Sequence, residues 1–148
     1  MAGRPEQVSA TVRRRLKQAR VARLATLGAK SRPHIVPICF VYDGKLFYTA
    51  IDSKPKRVPA GRLARLQNIR AAPRVALLID EYGEDWSRLW YVLIRGRARV
   101  IPRSAKEERA RVIGKLRAKY PQYDRGMLAE DAPIIRITPE RITSWGKI

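Results

Sequence analysis

The chain has 148 residues, and its 32 Lys+Arg against 13 Asp+Glu give a formal net charge of +19. An apolar fraction of 45% excludes a disordered basic tail, because such tails lack the side chains that offset the entropy of ordering. The single cysteine, Cys39, excludes an internal disulfide. With no signal peptide and no apolar run of about 18 residues, we expect a cytoplasmic protein without a membrane span. The length predicts one domain, residues 1–148, and the charge favours a polyanionic partner.

The first third of the chain predicts a helix and three strands. Residues 1–20 are expected to form an N-terminal helix packed on the domain, because apolar residues recur at the spacing of one helix face: Val8, Val12, Leu16 and Ala19. Runs rich in β-branched and aromatic residues predict strands at 21–27, 34–42 and 45–51. Asp43–Gly44 predicts a hairpin turn between the last two. Pro37 cannot donate to a ladder, so it predicts an edge strand or a bulge.

The rest of the chain predicts further helices and strands in alternation. Helices are expected at 61–71, ended by Pro73, and from 104 to just before Pro121. In the second of these, Ser104 and Glu107 have the spacing of a capping box. Strands are predicted at 74–82, at 89–101 and, as one or two strands, at 133–145. This order predicts a mainly antiparallel barrel decorated by helices.

Several familiar kinds of site are disfavoured by the sequence. The glycines lack the G-x-G-x-x-G spacing of a dinucleotide-binding fold. His34 is the only histidine, so we expect no metal site, and strand parity places it on the opposite face from Cys39. We therefore expect Cys39 to be a small buried apolar residue and not part of a catalytic pair.

Alternating residues of the 89–101 strand predict two different faces. Arg95, Arg97 and Arg99 share one face, expected to meet solvent or the carboxylates of Asp80, Glu81 and Asp85; a nucleic-acid track is the alternative. The other face reads as barrel interior, where Gly96 would allow close backbone approach and Trp90 would be buried. Trp86 and Trp145, at strand ends, are expected to pack, with a role in covering a ligand or completing a subunit contact as the alternative.

A strand end followed by a basic loop is the strongest local signal for a ligand. Tyr48, Thr49 and Ala50 lead into Ser53–Lys54–Pro55–Lys56–Arg57. Phosphate is bound by this mixture of ammonium, guanidinium and short hydroxyl donors. A solvated basic loop is the alternative interpretation.

These residues resemble the pyridoxamine 5′-phosphate oxidase-like proteins. Val21–Thr26 and Arg32–Pro37 are similar to the opening strand pair of that family, and Phe47–Thr49 with Ser53–Lys56 resembles its third strand and cofactor-phosphate loop. Further similarity is to the actinobacterial F420-dependent branch of the family, in the segments Leu66–Ile69, Pro73–Leu78 and Asp85–Trp90.

The resemblance implies a split β-barrel, an antiparallel Greek-key-type fold, forming a homodimer with cofactor sites at the interface. By the same resemblance, the phosphate would be bound by Ser53, Lys54, Lys56 and Arg57. The ring system would be lined by Val36, Pro37, Tyr48, Thr49 and Ala50. Weaker cofactor contacts are implied for Arg62 and Asn68, and for Trp86 or Trp145 from the second subunit; Tyr48 is also the one candidate for a catalytic proton donor.

The implied activity is F420-dependent hydride transfer to an unsaturated organic substrate. Coenzyme F420 carries a phosphodiester and an oligoglutamate tail, which suit a chain of this charge; FMN is the alternative cofactor. A non-catalytic carrier of F420, flavin or haem is a second hypothesis, and a basic nucleic-acid-binding module is a third, although no specific nucleic-acid partner is expected.

Overall fold

The computed structural model describes residues 8–54 and 63–148, and its elements alternate much as predicted. The helices are α1 Ala10–Gln18, α2 Ala64–Ala71 and α3 Lys106–Lys119. The strands are β1 Ala22–Leu27, β2 Pro33–Ile38, β3 Val41–Tyr42, β4 Phe47–Ala50, β5 Arg74–Glu81, β6 Trp90–Val100 and β7 Ile134–Gly146. Short helical turns lie at Ala29–Ser31, Trp86–Arg88 and Tyr123–Met127.

All strand pairs in the described part of the chain are antiparallel, and they form one sheet in the order β2-β1-β5-β6-β7-β4-β3. Strands β2 and β3 lie at opposite ends of this order, yet only Cys39 and Phe40 separate them in the chain. The sheet must therefore curl until its two ends approach each other, which confirms the mainly antiparallel split barrel.

The prediction of one continuous strand over 34–42 is wrong, because the chain turns from one sheet edge to the other at Phe40. The backbone groups of Phe40 are satisfied outside the ladder. Its N–H donates to the Tyr120 hydroxyl at 3.0 Å, and its carbonyl accepts from Lys119 Nζ at 3.0 Å. Burial, with a smaller contribution from Arg20, lowers the pKa of this lysine to about 8. Pro37 lies on β2, which is an edge strand, so of the two predicted alternatives, an edge strand or a bulge, the edge strand is confirmed.

Helix α1 packs on the sheet through the predicted face, with Val12 and Leu16 buried and the Ser9 hydroxyl accepting from the Val12 N–H at 3.2 Å. The predicted capping box at α3 is wrong, because the helix begins one residue later. Ala105 occupies the N-cap without a side-chain hydrogen bond. Glu108, not Glu107, binds across the fold, and its carboxylate accepts from Arg136 Nη1 at 2.9 Å. Among the helices of the described residues, none has the length and apolar character needed to cross a bilayer.

Strand β6 alternates as predicted, with Trp90 and Gly96 facing inward and the three arginines outward. The three arginines are exposed to solvent, which confirms one of the two expected alternatives. The other is not found among the described residues, because Asp80 pairs with Arg23 at 2.8 Å and Arg97 faces Glu140 at 3.4 Å. Trp86 and Trp145 do not pack into the core, since they are 71% and 53% exposed. Trp145 instead stacks on Tyr91 across β6 and β7, with ring centroids 5.6 Å apart.

Strands β6 and β7 approach each other most closely at Gly96. A register shift follows Arg95, and a Cβ built on Gly96 would lie 2.3 Å from the carbonyl oxygen of Thr138. Any side chain at this position would collide with the backbone of β7. Glycine is therefore required because there is no room for a Cβ, and not because of its backbone conformation.

Candidate functional site

A cavity of about 340 Å³ opens where β2 and β4 end, against α2 and the Tyr123–Met127 turn. Its size lies near the lower end of the range for small-molecule sites. Its walls combine apolar strand residues with charged groups: Val21, Pro37, Ile38, Cys39, Thr49, Ala50, Asp52, Lys54, Arg65 and Tyr123. The fold thus brings together Pro37, Thr49, Ala50 and Lys54, four of the residues that the resemblance implies for cofactor binding.

The strand residues of the cavity are fixed by the fold. The Thr49 hydroxyl is buried and donates to the Cys39 carbonyl at 2.7 Å, which joins the end of β4 to the turn after β2. Ser53 is exposed beside the cavity, and its N–H donates to the Met127 carbonyl at 2.9 Å. Cys39 is partly buried, packs against an apolar cluster that includes Val41 and also lines the cavity, so the prediction of a small buried apolar residue holds only in part.

Asp52 organises the charged side of the cavity. It accepts a hydrogen bond from the Tyr123 hydroxyl at 2.5 Å and binds the Lys54 ammonium through the same carboxylate oxygen. Burial acts to raise the pKa of Asp52, but the hydrogen bonds from Lys54 and Tyr123 prevail and lower it. Burial and the bond to Asp52 raise the pKa of Tyr123, so this phenol keeps its proton. The carboxylate is therefore ionised and already coordinated by its neighbours.

Arg65 provides the cation that has spare hydrogen-bonding capacity. It lies in the first turn of α2, and its Nε is buried without an acceptor in the described part of the chain. Burial lowers the pKa of Arg65, partly offset by the charge of Asp52. A buried donor without a partner costs free energy, on the order of 1–3 kcal/mol. Arg65 also lines the cavity, where its guanidinium group can meet an anionic ligand.

Tyr123→Phe should weaken the fold, because it removes a hydrogen bond to an ionised carboxylate. We expect a loss of about 1–2 kcal/mol in the free energy of unfolding at pH 7, measured by urea denaturation. Asp52 has a lowered pKa, so its stabilisation is complete above its unfolded pKa and is lost as pH falls through the folded value. The difference between variant and wild type should therefore shrink below about pH 4. Tyr82→Phe is the control, since Tyr82 is 67% exposed; an equal loss there would contradict the assignment.

Other residues implied by the resemblance lie outside this cavity. Val36 points inward and packs on the core around Leu24, its partner across β1. The Tyr48 hydroxyl donates to Glu108 Oε2 at 3.1 Å and accepts from Arg111 Nη2 at 3.5 Å. Tyr48 thus contacts α3, on the other side of the strand from Thr49.

Two more candidates lie farther along the chain. Asn68 donates from Nδ2 to the buried Thr26 hydroxyl at 3.0 Å and lines a separate cavity with Gly28 and His34. Trp86 is in the exposed β5–β6 connection. Lys56, Arg57 and Arg62, with Pro55, lie outside the described residues.

Sequence reasoning missed Arg65 and Tyr123. Arg65 sits beside the buried Leu66, and its partial burial depends on the barrel that α2 covers. Tyr123 follows Asp52 by 71 residues, so no local pattern could have paired them.

The donors in this cavity fit a phosphate group. Within the described residues, its charged side chains are two cations, Lys54 and Arg65, and one carboxylate, Asp52, which leaves one positive charge. Arginine and lysine commonly bind phosphate oxygens in proteins, and the Arg65 Nε has no acceptor among the described residues. The apolar strand ends beside them offer a surface for a ring.

The described residues thus form a split antiparallel barrel with a basic cavity beside an edge strand. The chain belongs to the pyridoxamine 5′-phosphate oxidase family, whose sequence profile matches residues 8–146.

Named relatives agree with this membership. A 5a,11a-dehydrotetracycline/5a,11a-dehydrooxytetracycline reductase from Streptomyces rimosus is 29% identical over 125 residues, which cover 84% of this chain and 72% of the relative. An FAD-binding protein from Mesorhizobium loti superposes with a TM-score of 0.67 at 25% identity, covering 93% of this chain and 94% of that one. An F420 reductase superposes with a TM-score of 0.65 at 20% identity, covering 92% and 98%, which shows a common fold.

Proposed function

We propose that this protein is an oxidoreductase that binds coenzyme F420 and transfers a hydride between it and an unsaturated organic substrate. Family membership and a relative named as a reductase support the reaction class. The observation that carries the cofactor site is the pair of cations, Arg65 and Lys54, that line one cavity, with the Arg65 Nε buried without an acceptor among the described residues. When bound, the deazaflavin supplies the hydride chemistry, as organic cofactors do in general.

The residues of the cavity bind and orient this cofactor. Arg65 and Lys54 hold the phosphate, while Asp52 and Tyr123 fix the position of Lys54. Pro37, Thr49 and Ala50 form the apolar side of the site, which keeps water from the ring. Lys56, Arg57 and Arg62 are proposed to add further phosphate contacts, and Ser53 a hydroxyl donor.

The proton that accompanies hydride transfer is proposed to come from solvent. The Tyr123 hydroxyl donates to Asp52, and the Tyr48 hydroxyl donates to Glu108 outside the cavity. Burial raises the pKa of both phenols, which makes them weak acids. A proton donor works best with a pKa near the working pH, so neither phenol suits that role.

F420 is preferred over FMN because the chain is strongly basic and the cavity holds one excess positive charge in its described part. A phosphodiester carries a single negative charge, and the oligoglutamate tail adds more. FMN remains the alternative, and the FAD-binding relative at 25% identity supports flavin chemistry in general.

The proposal includes a homodimer. The outward face of the sheet exposes large apolar side chains, among them Ile35 at 64% and Trp145 at 53%. A second subunit packed on this face would bury them. Sedimentation equilibrium should therefore give twice the 16.9 kDa of one chain at micromolar concentration; a monomer would contradict this part of the proposal.

Turnover tests the proposed reaction. Purified protein is mixed with reduced F420 and a panel of conjugated enones and quinones, and the return of the oxidised cofactor's absorbance is followed, with reduced FMN in parallel. We expect oxidation of F420 that depends on both protein and substrate. Binding without turnover on any substrate would favour the carrier hypothesis, and turnover with FMN alone would overturn the choice of cofactor.

A further inference from the structure

A second and larger cavity, of about 750 Å³, lies at the other end of α2, where β6 ends and the loop that leads to α3 begins. Its floor is apolar and well fixed. Ile69, Ala98 and Ile101 are buried there, and the N–H groups of Ala98 and Ile101 donate to the carbonyls of Pro73 and Ile134, both at 2.8 Å. Its volume is well within the range of small-molecule sites.

The rim of this cavity is basic. Four arginines line it, Arg70, Arg99, Arg103 and Arg109, against one carboxylate, Asp131. Within residues 8–54 and 63–148, three of these arginines have no ion-pair partner within 4.0 Å: Arg70, Arg99 and Arg103. Like charges gathered in a concave surface focus a positive potential, because the low-dielectric walls screen them less than bulk water does.

Arg109 differs from the other three in being fixed in place. It is 8% exposed, and its Nη2 donates to the carbonyls of Glu130 at 3.1 Å and Ala132 at 2.7 Å. Carbonyls do not neutralise the guanidinium, so a permanent positive charge is held at the wall. Because this side chain is already held in place, ligand binding does not have to order it, which lowers the entropic cost of binding.

We propose that this cavity binds a small molecule with two or more anionic groups, phosphates or carboxylates. Guanidinium groups present forked donors that match the oxygens of both groups. A concave site with an apolar floor suits a compact ligand better than an extended nucleic-acid backbone, which would follow a basic stripe. This site is separate from the cofactor cavity: Arg65 faces that cavity from one end of α2, while Arg70 faces this one from the other.

Calorimetric titration with tripolyphosphate and with tri-L-glutamate, in 150 mM salt, tests the proposal and distinguishes the two ligand chemistries. The variant Arg99→Gln/Arg103→Gln changes two exposed residues, so the fold should be preserved. Its control is Arg95→Gln/Arg141→Gln, which removes the same charge from exposed positions outside the cavity.

We expect one-to-one binding of at least one probe, weakened about tenfold or more in the cavity variant and less than twofold in the control. Binding of neither probe would overturn the proposal. An equal loss of affinity in both variants would also overturn it, because the probes would then be attracted by the overall positive charge of the protein and not by this cavity. Tripolyphosphate can also meet the phosphate donors of the cofactor cavity, so the Arg65→Gln variant is titrated as well. Loss of probe binding in Arg65→Gln without loss in Arg99→Gln/Arg103→Gln would place the probe in the cofactor cavity and overturn the proposal, so failure here is distinct from failure of the cofactor site.

Discussion

Arg65→Gln is expected to weaken binding of F420, or of FMN if that is the cofactor, by about 10- to 100-fold. The expectation rests on the loss of a charge-assisted contact to phosphate in a partly buried site, on the order of 1.5–3 kcal/mol. The same change should leave the melting temperature unaltered or raise it, because it removes a half-buried cation whose Nε has no acceptor in the described chain. This combination is diagnostic, since a merely structural arginine would lower stability when replaced.

The matched control is Arg14→Gln, which removes the same charge from an exposed position on α1. It should change cofactor affinity by less than twofold at physiological salt, because exposed charges beyond about 8 Å are largely screened there. Equal weakening in both variants would show that the long-range field of the chain, and not the cavity, sets the affinity. Unchanged affinity in Arg65→Gln would show that the phosphate binds elsewhere.

Gly96→Ala is expected to destabilise the protein by about 2–3 kcal/mol, the cost of forcing extra atoms into a closely packed site. The new Cβ would lie 2.3 Å from the Thr138 carbonyl oxygen and 3.1 Å from the Pro139 Cα, so backbone of β7 would have to move. For a domain of this size the melting temperature should fall by about 5–10 °C, measured by circular dichroism.

Gly114→Ala is the control, and it is expected to change the free energy of unfolding in the opposite direction. Gly114 is exposed in the middle of α3, and a Cβ there would have nothing within 4 Å. Alanine is favoured over glycine inside helices, so we expect a gain of about 0.5–1 kcal/mol. If Gly96→Ala were neutral, β6 and β7 could not approach as closely as described.

The barrel follows from patterns that are local in the chain. Period-two alternation placed Trp90 and Gly96 inside and the arginines of β6 outside, and Pro37 predicted an edge that β2 occupies. The break at Phe40 was not predictable in this way, because the residues that satisfy its backbone are distant in sequence: Lys119 ends α3 and Tyr120 follows it.

The cofactor cavity could be predicted only in part for the same reason. The family resemblance compares short segments of consecutive residues, and it implied cofactor-binding residues on β2, on β4 and in the following loop. Four of them do line the same cavity: Pro37, Thr49, Ala50 and Lys54. Val36 and Tyr48 belong to the same segments but point away from the side that Pro37 and Thr49 face. Arg65 and Tyr123 reach the cavity through tertiary packing, which neither composition nor spacing encodes.

Direct titration with the cofactor tests the central claim that this cavity binds an anionic redox cofactor. Tryptophan fluorescence is followed as F420, and separately FMN, is added to the wild-type protein at physiological salt. We predict saturable quenching by F420 at micromolar concentration, with one cofactor per chain and weaker binding of FMN. Absence of saturable binding for both cofactors would contradict the account.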